Sequence, residues 1–186
     1  KQRILTPEDI FSTYGNKSSA LFVVSCGKLY KAKLFSAIRF PERKLHEDEF
    51  TFYKVIGICK TISIVPGKLY FYVQHSDSIM ANNKPERLDS IEAYCYQAEY
   101  FFNRRYIEAL NTVRGSSSYW FAEILKSNKI RITDARFRIA MRFYRRICTL
   151  ALRAGCVNRM LIIKSIIQKF ICTYPLNVVT GRKIKN

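Results

Sequence analysis

The 186 residues carry 32 Lys and Arg against 14 Asp and Glu, a formal net charge of +18, and 48% of them are hydrophobic. That much apolar side chain excludes global disorder, and the length suits one domain or two small ones around a sizeable core. The apolar runs fall far short of the ~20 residues that cross a bilayer, so no membrane partner is expected.

The first element expected is a short helix over 6–14, where Thr6 can cap, Pro7 fits the first helical position and Glu8 and Asp9 follow. From Ala20 to Gln74 the chain is rich in Val, Ile, Phe and Tyr between turn residues. That composition reads as strands near 20–26, 28–40, 50–64 and 68–74. Glu42 to Glu49 forms an acidic loop. Pro66-Gly67 reads as a hairpin turn that pairs Ile64 with Leu69 and Ile62 with Phe71. One face then carries Ile62, Ile64, Leu69, Phe71 and Val73 into the core. The other face bears Lys68, Tyr70 and Tyr72, side chains able to stack unpaired bases.

Ser76 to Asp89 is polar, holds Asn82-Asn83 and Pro85, and reads as a connector. Helical periodicity then predicts helices near 90–113, 117–126, 134–153 and 158–172. The fold class expected is α+β: an antiparallel β-rich half of about four to five strands, then a bundle of about four helices. The boundaries are 1–80 for the β-rich half, 81–89 for the connector, 90–173 for the helical half and 174–186 for a basic tail.

Charge is unevenly spread. Residues 1–92 hold fourteen bases and ten acids, whereas 93–186 hold eighteen bases and four acids. From Ala135 to the end there are twelve bases and no acid, and six of the bases are the arginines of residues 136–153. Placed 100° apart on a helix, Arg138, Arg142, Arg145, Arg146 and Arg153 fall within one ~100° arc. Ala140, Phe143, Tyr144, Ile147, Cys148, Leu150 and Ala151 take the opposite side. Thr133 or Asp134 caps the start, and Gly155 suits the left-handed position past the end. Arginine presents a planar fork that grips phosphate bidentately, so the stripe points to RNA or DNA. Arg104 and Arg105, beside Tyr106, extend the basic surface, with Tyr70 and Tyr72 as stacking candidates. The same arginines also fit the acidic 42–49 loop or an acidic protein partner. The helix 158–172 lines Met160, Ile162, Ile163, Ile166, Ile167, Phe170 and Ile171 along half its girth, a face for the core or an oligomer interface.

Two segments resemble known families. Leu150 to Leu161 resembles the turn of a helix-turn-helix motif, with Ala151, Gly155 and Leu161 at its small, turn and apolar positions. Ile162 and Ile163 stand where a recognition helix needs polar residues. Ala98 to Leu110 resembles the middle of a tetratricopeptide repeat through Tyr100, Tyr106 and Ala109. Gln97 replaces the usual small residue, and no second copy follows at the 34-residue offset that a repeat array implies.

The six cysteines, Cys26, Cys59, Cys95, Cys148, Cys156 and Cys172, form no C-x-x-C pair, and the only histidines are His46 and His75. No metal or other cofactor is expected. Reduced core cysteines suit the nucleus or another intracellular reducing compartment, the mitochondrion included. A start at Lys1 rather than Met is expected of a fragment or a processed form. His75-Ser76-Asp77 cannot form a catalytic relay from adjacent positions. Glu42-Arg43-Lys44 lacks the partner acids of a nuclease, and His46 to Glu49 reads as an exposed acidic loop. The expectation is a non-enzymatic component of a ribonucleoprotein or chromatin assembly. The alternative is a scaffold module whose basic helix docks an acidic partner.

Overall fold

The computed structural model describes residues 2–15, 20–73, 85–128, 130–131 and 133–156. Strand β1 (Arg3–Leu5) leads into helix α1 (Pro7–Ser12). Thr6 closes a capping box there: its hydroxyl accepts from the Asp9 amide at 3.2 Å, and the Asp9 carboxylate accepts from the Thr6 amide at 2.8 Å. The Thr6 amide and the Thr6 hydroxyl, each donating to the Asp9 carboxylate at 2.8 Å, hold the Asp9 carboxyl below the usual carboxylate range. One turn of helix follows as α2 (Ala20–Val23), then a 3-10 turn at Ala32–Phe35, helix α3 (Phe52–Gly57) and strand β2 (Ile62–Ile64).

The β-rich half expected from the sequence is therefore wrong. Among the described residues the sheet has two strands of three residues each, pairing antiparallel with Arg3 opposite Ile64 and Leu5 opposite Ile62. The hairpin at Pro66-Gly67 does not form: Ile62–Ile64 pairs with β1, and residues 65–73 take no strand. Leu69, Phe71 and Val73, expected in the core, are 79%, 86% and 67% exposed. The segment expected as a strand over 50–64 is helical at its centre. Phe52, Tyr53, Val55 and Ile56 are buried while Lys54 points outward, a spacing that suits a helix against a helical neighbour. Short aromatic and β-branched runs carry strand propensity, but tertiary burial overrides it.

The remainder of the described chain is helical. A 3-10 turn (Pro85–Leu88) opens α4 (Asp89–Asn103), followed by α5 (Ile107–Asn128) and α6 (Ala135–Arg153). The break expected near Gly115 falls instead at Arg104–Tyr106. There the Tyr106 amide donates to the Phe101 carbonyl at 2.9 Å and the Arg105 amide to that of Phe102 at 3.1 Å. Arg105 sits at φ 60°, and the Phe101 and Tyr106 rings meet across the turn at 6.3 Å. That is a Schellman end with arginine in the left-handed position. Helix α6 ends by the same motif with Gly155 at φ 72°, as its sequence predicts.

The three long helices form the frame. Glu86 pairs with Arg136, Tyr96 meets Phe143 and Glu99 pairs with Arg146, so α4 and α6 run parallel. Phe121 stacks on Phe137 and Ser118 bonds Tyr144, so α5 runs antiparallel to α6. The first part of the chain shares this core: Phe11 packs on Phe101 at 5.0 Å, and Tyr53 packs on Tyr100 at 5.0 Å. The expected helix 158–172 and the tail 174–186 lie outside the described residues.

Candidate nucleic-acid interface

Asp134 caps α6, its carboxylate accepting from the Arg136 amide at 2.7 Å. Phe137, Ala140, Tyr144, Ile147, Cys148 and Ala151 are buried, one face at 3- and 4-residue spacing. Tyr144 exchanges a 2.7 Å hydrogen bond with Ser118, and burial pushes its hydroxyl up to about 12. With that side committed to the bundle, Arg138, Arg142, Arg145, Arg146 and Arg153 are all exposed. The line from Arg138 to Arg153 is about 22 Å long at the ordinary helical rise.

Two of the six arginines of α6 are held by carboxylates from the bundle. Arg136 pairs with Glu86 at 2.9 Å and Arg146 with Glu99 at 3.0 Å, each arginine side chain half exposed. Among the described residues, Arg138, Arg142, Arg145 and Arg153 meet no carboxylate. The acidic 42–49 loop does not supply one. Lys44 in that loop turns to Glu92 at 2.6 Å and to Asp89 at 3.5 Å, while the Leu45 amide donates to Asp89 at 3.2 Å. Glu49 is half-buried against α4. Gln97 Nε2 donates to its carbonyl at 2.8 Å and to its carboxylate at 2.7 Å, and the Tyr94 hydroxyl donates at 3.4 Å. Burial pushes the Glu49 carboxyl up to about 7.

Arg104 and Arg105 occupy the turn between α4 and α5, at the end of the bundle where α6 stops beside Ile107. The Arg104 guanidinium lies 3.9 Å from the centre of the Tyr100 ring. Tyr70 and Tyr72 are exposed but sit in the irregular stretch after β2, where Tyr70 lies against Gly27. The described contacts do not join these tyrosines to the arginine helix. No helix among the described residues is long and apolar enough to cross a membrane. No cluster of metal-ligating side chains occurs among them either.

Sequence reasoning missed one neighbouring feature. Tyr53, Lys54, Tyr96, Glu99 and Tyr100 line a shallow groove of about 360 Å³ between α3 and α4. Tyr96, Glu99 and Tyr100 share a face of α4 by their i, i+3, i+4 spacing. Gly57 allows the close approach of the Tyr100 hydroxyl to α3, since a Cβ there would collide with it. The spacing within α4 was readable, but the α3 wall was not while 50–64 read as a strand. Compared with protein-family models, curated proteins and solved structures, the chain matches none.

Proposed function

We propose that the chain binds nucleic acid through the exposed face of α6, as a non-enzymatic component of a ribonucleoprotein or chromatin assembly. The observation that carries this reading is the set Arg138, Arg142, Arg145 and Arg153, aligned on one helix face and met by no carboxylate among the described residues. Like charges at i, i+4 and i, i+3 destabilise a helix unless they are neutralised, so this set suits an external polyanion. Exposed Lys126 and Arg131 add charge near the N-terminal end of α6, and Arg104 and Arg105 add it at the other end. Each phosphate engaged releases counterions, which makes the affinity strongly salt-dependent. A salt titration of binding to single- and double-stranded RNA and DNA tests the reading. Affinity that does not change with salt contradicts it.

The Arg136–Glu86 and Arg146–Glu99 pairs favour one second reading, because they demonstrate carboxylates seated on guanidiniums of this same helix. Under it, an acidic protein occupies the remaining arginines. Complexes that persist through nuclease treatment would support that partner over nucleic acid.

A further inference from the structure

We propose that the tyrosine groove beside α6 receives one unstacked base of a single-stranded nucleic acid whose phosphates lie along the arginine stripe. The inference rests on the phosphate-binding reading and adds to it the strand state of the ligand.

The groove and the stripe share a wall. Glu99 lines the groove on one side and accepts from Arg146 Nε at 3.0 Å on the other. Only the width of α4 therefore separates a phosphate on α6 from a base in the groove. Of the three tyrosines that line it, Tyr53 is buried and Tyr100 lies under the Arg104 guanidinium, so the ring open to a base is Tyr96, 39% exposed at the mouth.

The charges around the groove select the ligand. Lys54 Nζ stands 5.6 Å from the centre of the Tyr53 ring, and the Arg104 guanidinium 3.9 Å from that of Tyr100. The one acid in the wall, Glu99, is already neutralised by Arg146. A cationic guest, the other usual occupant of an aromatic cage, would meet two resident cations and a wall acid already paired with Arg146. An acidic peptide would find the cations but has no use for tyrosine faces. A nucleotide uses both, with its base on the Tyr96 ring and its phosphates on the cations. A duplex keeps its bases stacked inside and offers none to the groove, which is why the strand is single.

The test is fluorescence anisotropy at fixed salt, using unstructured 12-nucleotide single strands of RNA and of DNA and blunt duplexes of the same sequences. The proteins are wild type, Tyr96→Ala, Tyr96→Phe, and the triple variant Arg138→Ala, Arg142→Ala, Arg145→Ala. Loss of a stacked base should weaken single-strand binding by Tyr96→Ala about tenfold, leave duplex binding unchanged, and spare Tyr96→Phe, which keeps the ring. The wild type should prefer single strands, and the triple variant should weaken every complex. The RNA and DNA arms identify which strand is preferred, and either preference with the Tyr96 effect supports the proposal. Equal affinity for single strands and duplexes overturns it. So does a Tyr96→Ala variant that binds single strands like wild type, or one that loses both ligands alike. Those results leave the phosphate-binding reading standing if the triple variant still weakens binding. If no oligonucleotide binds, or the triple variant binds like wild type, that reading falls as well.

Discussion

Arg146 donates from Nε to Glu99 Oε1 at 3.0 Å, and this pair separates the exposed face of α6 from the tyrosine groove on α4. The pair is half exposed, so its contribution to stability is at most about 1 kcal/mol. Its larger consequence is that it withdraws one guanidinium from the stripe. Replacing Glu99 with Gln should leave the unfolding midpoint nearly unchanged while freeing Arg146 for phosphate. Oligonucleotide affinity should rise a few-fold, and its salt dependence should steepen by up to about one phosphate equivalent. Denaturant titration and anisotropy on the same variant separate the two effects.

Glu49 gives the molecule a pH dependence of unusual sign for a carboxylate. Burial raises its folded pKa to about 7, above the ordinary value of 4.5, although the bonds from Gln97 and Tyr94 pull the other way. Between those values the folded state holds a proton that the unfolded state releases, so this group's contribution to stability falls as pH rises through that window. The full difference, reached above pH 7, is roughly 3 kcal/mol. Asp48, whose carboxyl is also raised by burial, slopes the same way. Glu49→Gln keeps the shape without the titration. Urea unfolding at pH 5 and pH 8 should show a clear loss of stability for wild type and a smaller one for the variant.

Two helix positions carry avoidable backbone cost. Arg105 holds φ 60°, a conformation that costs a non-glycine residue about 1 kcal/mol or more, so Arg105→Gly should be stabilising by up to about 1 kcal/mol. Gly115 lies inside α5, and a Cβ there meets nothing within 4 Å. Gly115→Ala should therefore stabilise by about 1 kcal/mol. Gly57→Ala is the contrasting case, since the Tyr100 hydroxyl occupies the space and the groove wall must shift. Thermal melts of the three variants should rank them in that way.

The bundle also makes a direct prediction about its packing. Ile147 is fully buried on α6, so Ile147→Ala should cost ~2–5 kcal/mol. Tyr144→Phe leaves the buried Ser118 hydroxyl without its 2.7 Å partner and should cost about 1–2 kcal/mol. Neither substitution touches the exposed arginines. Under conditions where both variants remain folded, their oligonucleotide affinity should match wild type.

Local signals in the chain were legible where one residue type performs one task. Thr6 with Asp9, Asp134 and Gly155 each occupy the cap or the left-handed position that their chemistry suits. The arc of α6 was legible because a long amphipathic period is hard to mistake. The end of α4 was not, because Arg105 performs the task usually given to glycine. The first half of the chain was misread for a different reason. Phe52, Tyr53, Val55 and Ile56 carry strand propensity, and only the presence of α1 and α4 around them makes the helix the better burial. The tyrosine groove was invisible for the same cause, since its α3 wall depends on that helix.

The central claim is that the arginines of α6 that meet no carboxylate among the described residues hold phosphates. Its most direct test is the salt dependence of oligonucleotide affinity for wild type and for the variant with Arg138, Arg142, Arg145 and Arg153 all changed to Ala. With about one phosphate per arginine, the slope of log affinity against log salt should fall by about 3, and binding at low salt should weaken by orders of magnitude. Parallel slopes for the two proteins, with unchanged affinity, would contradict the account.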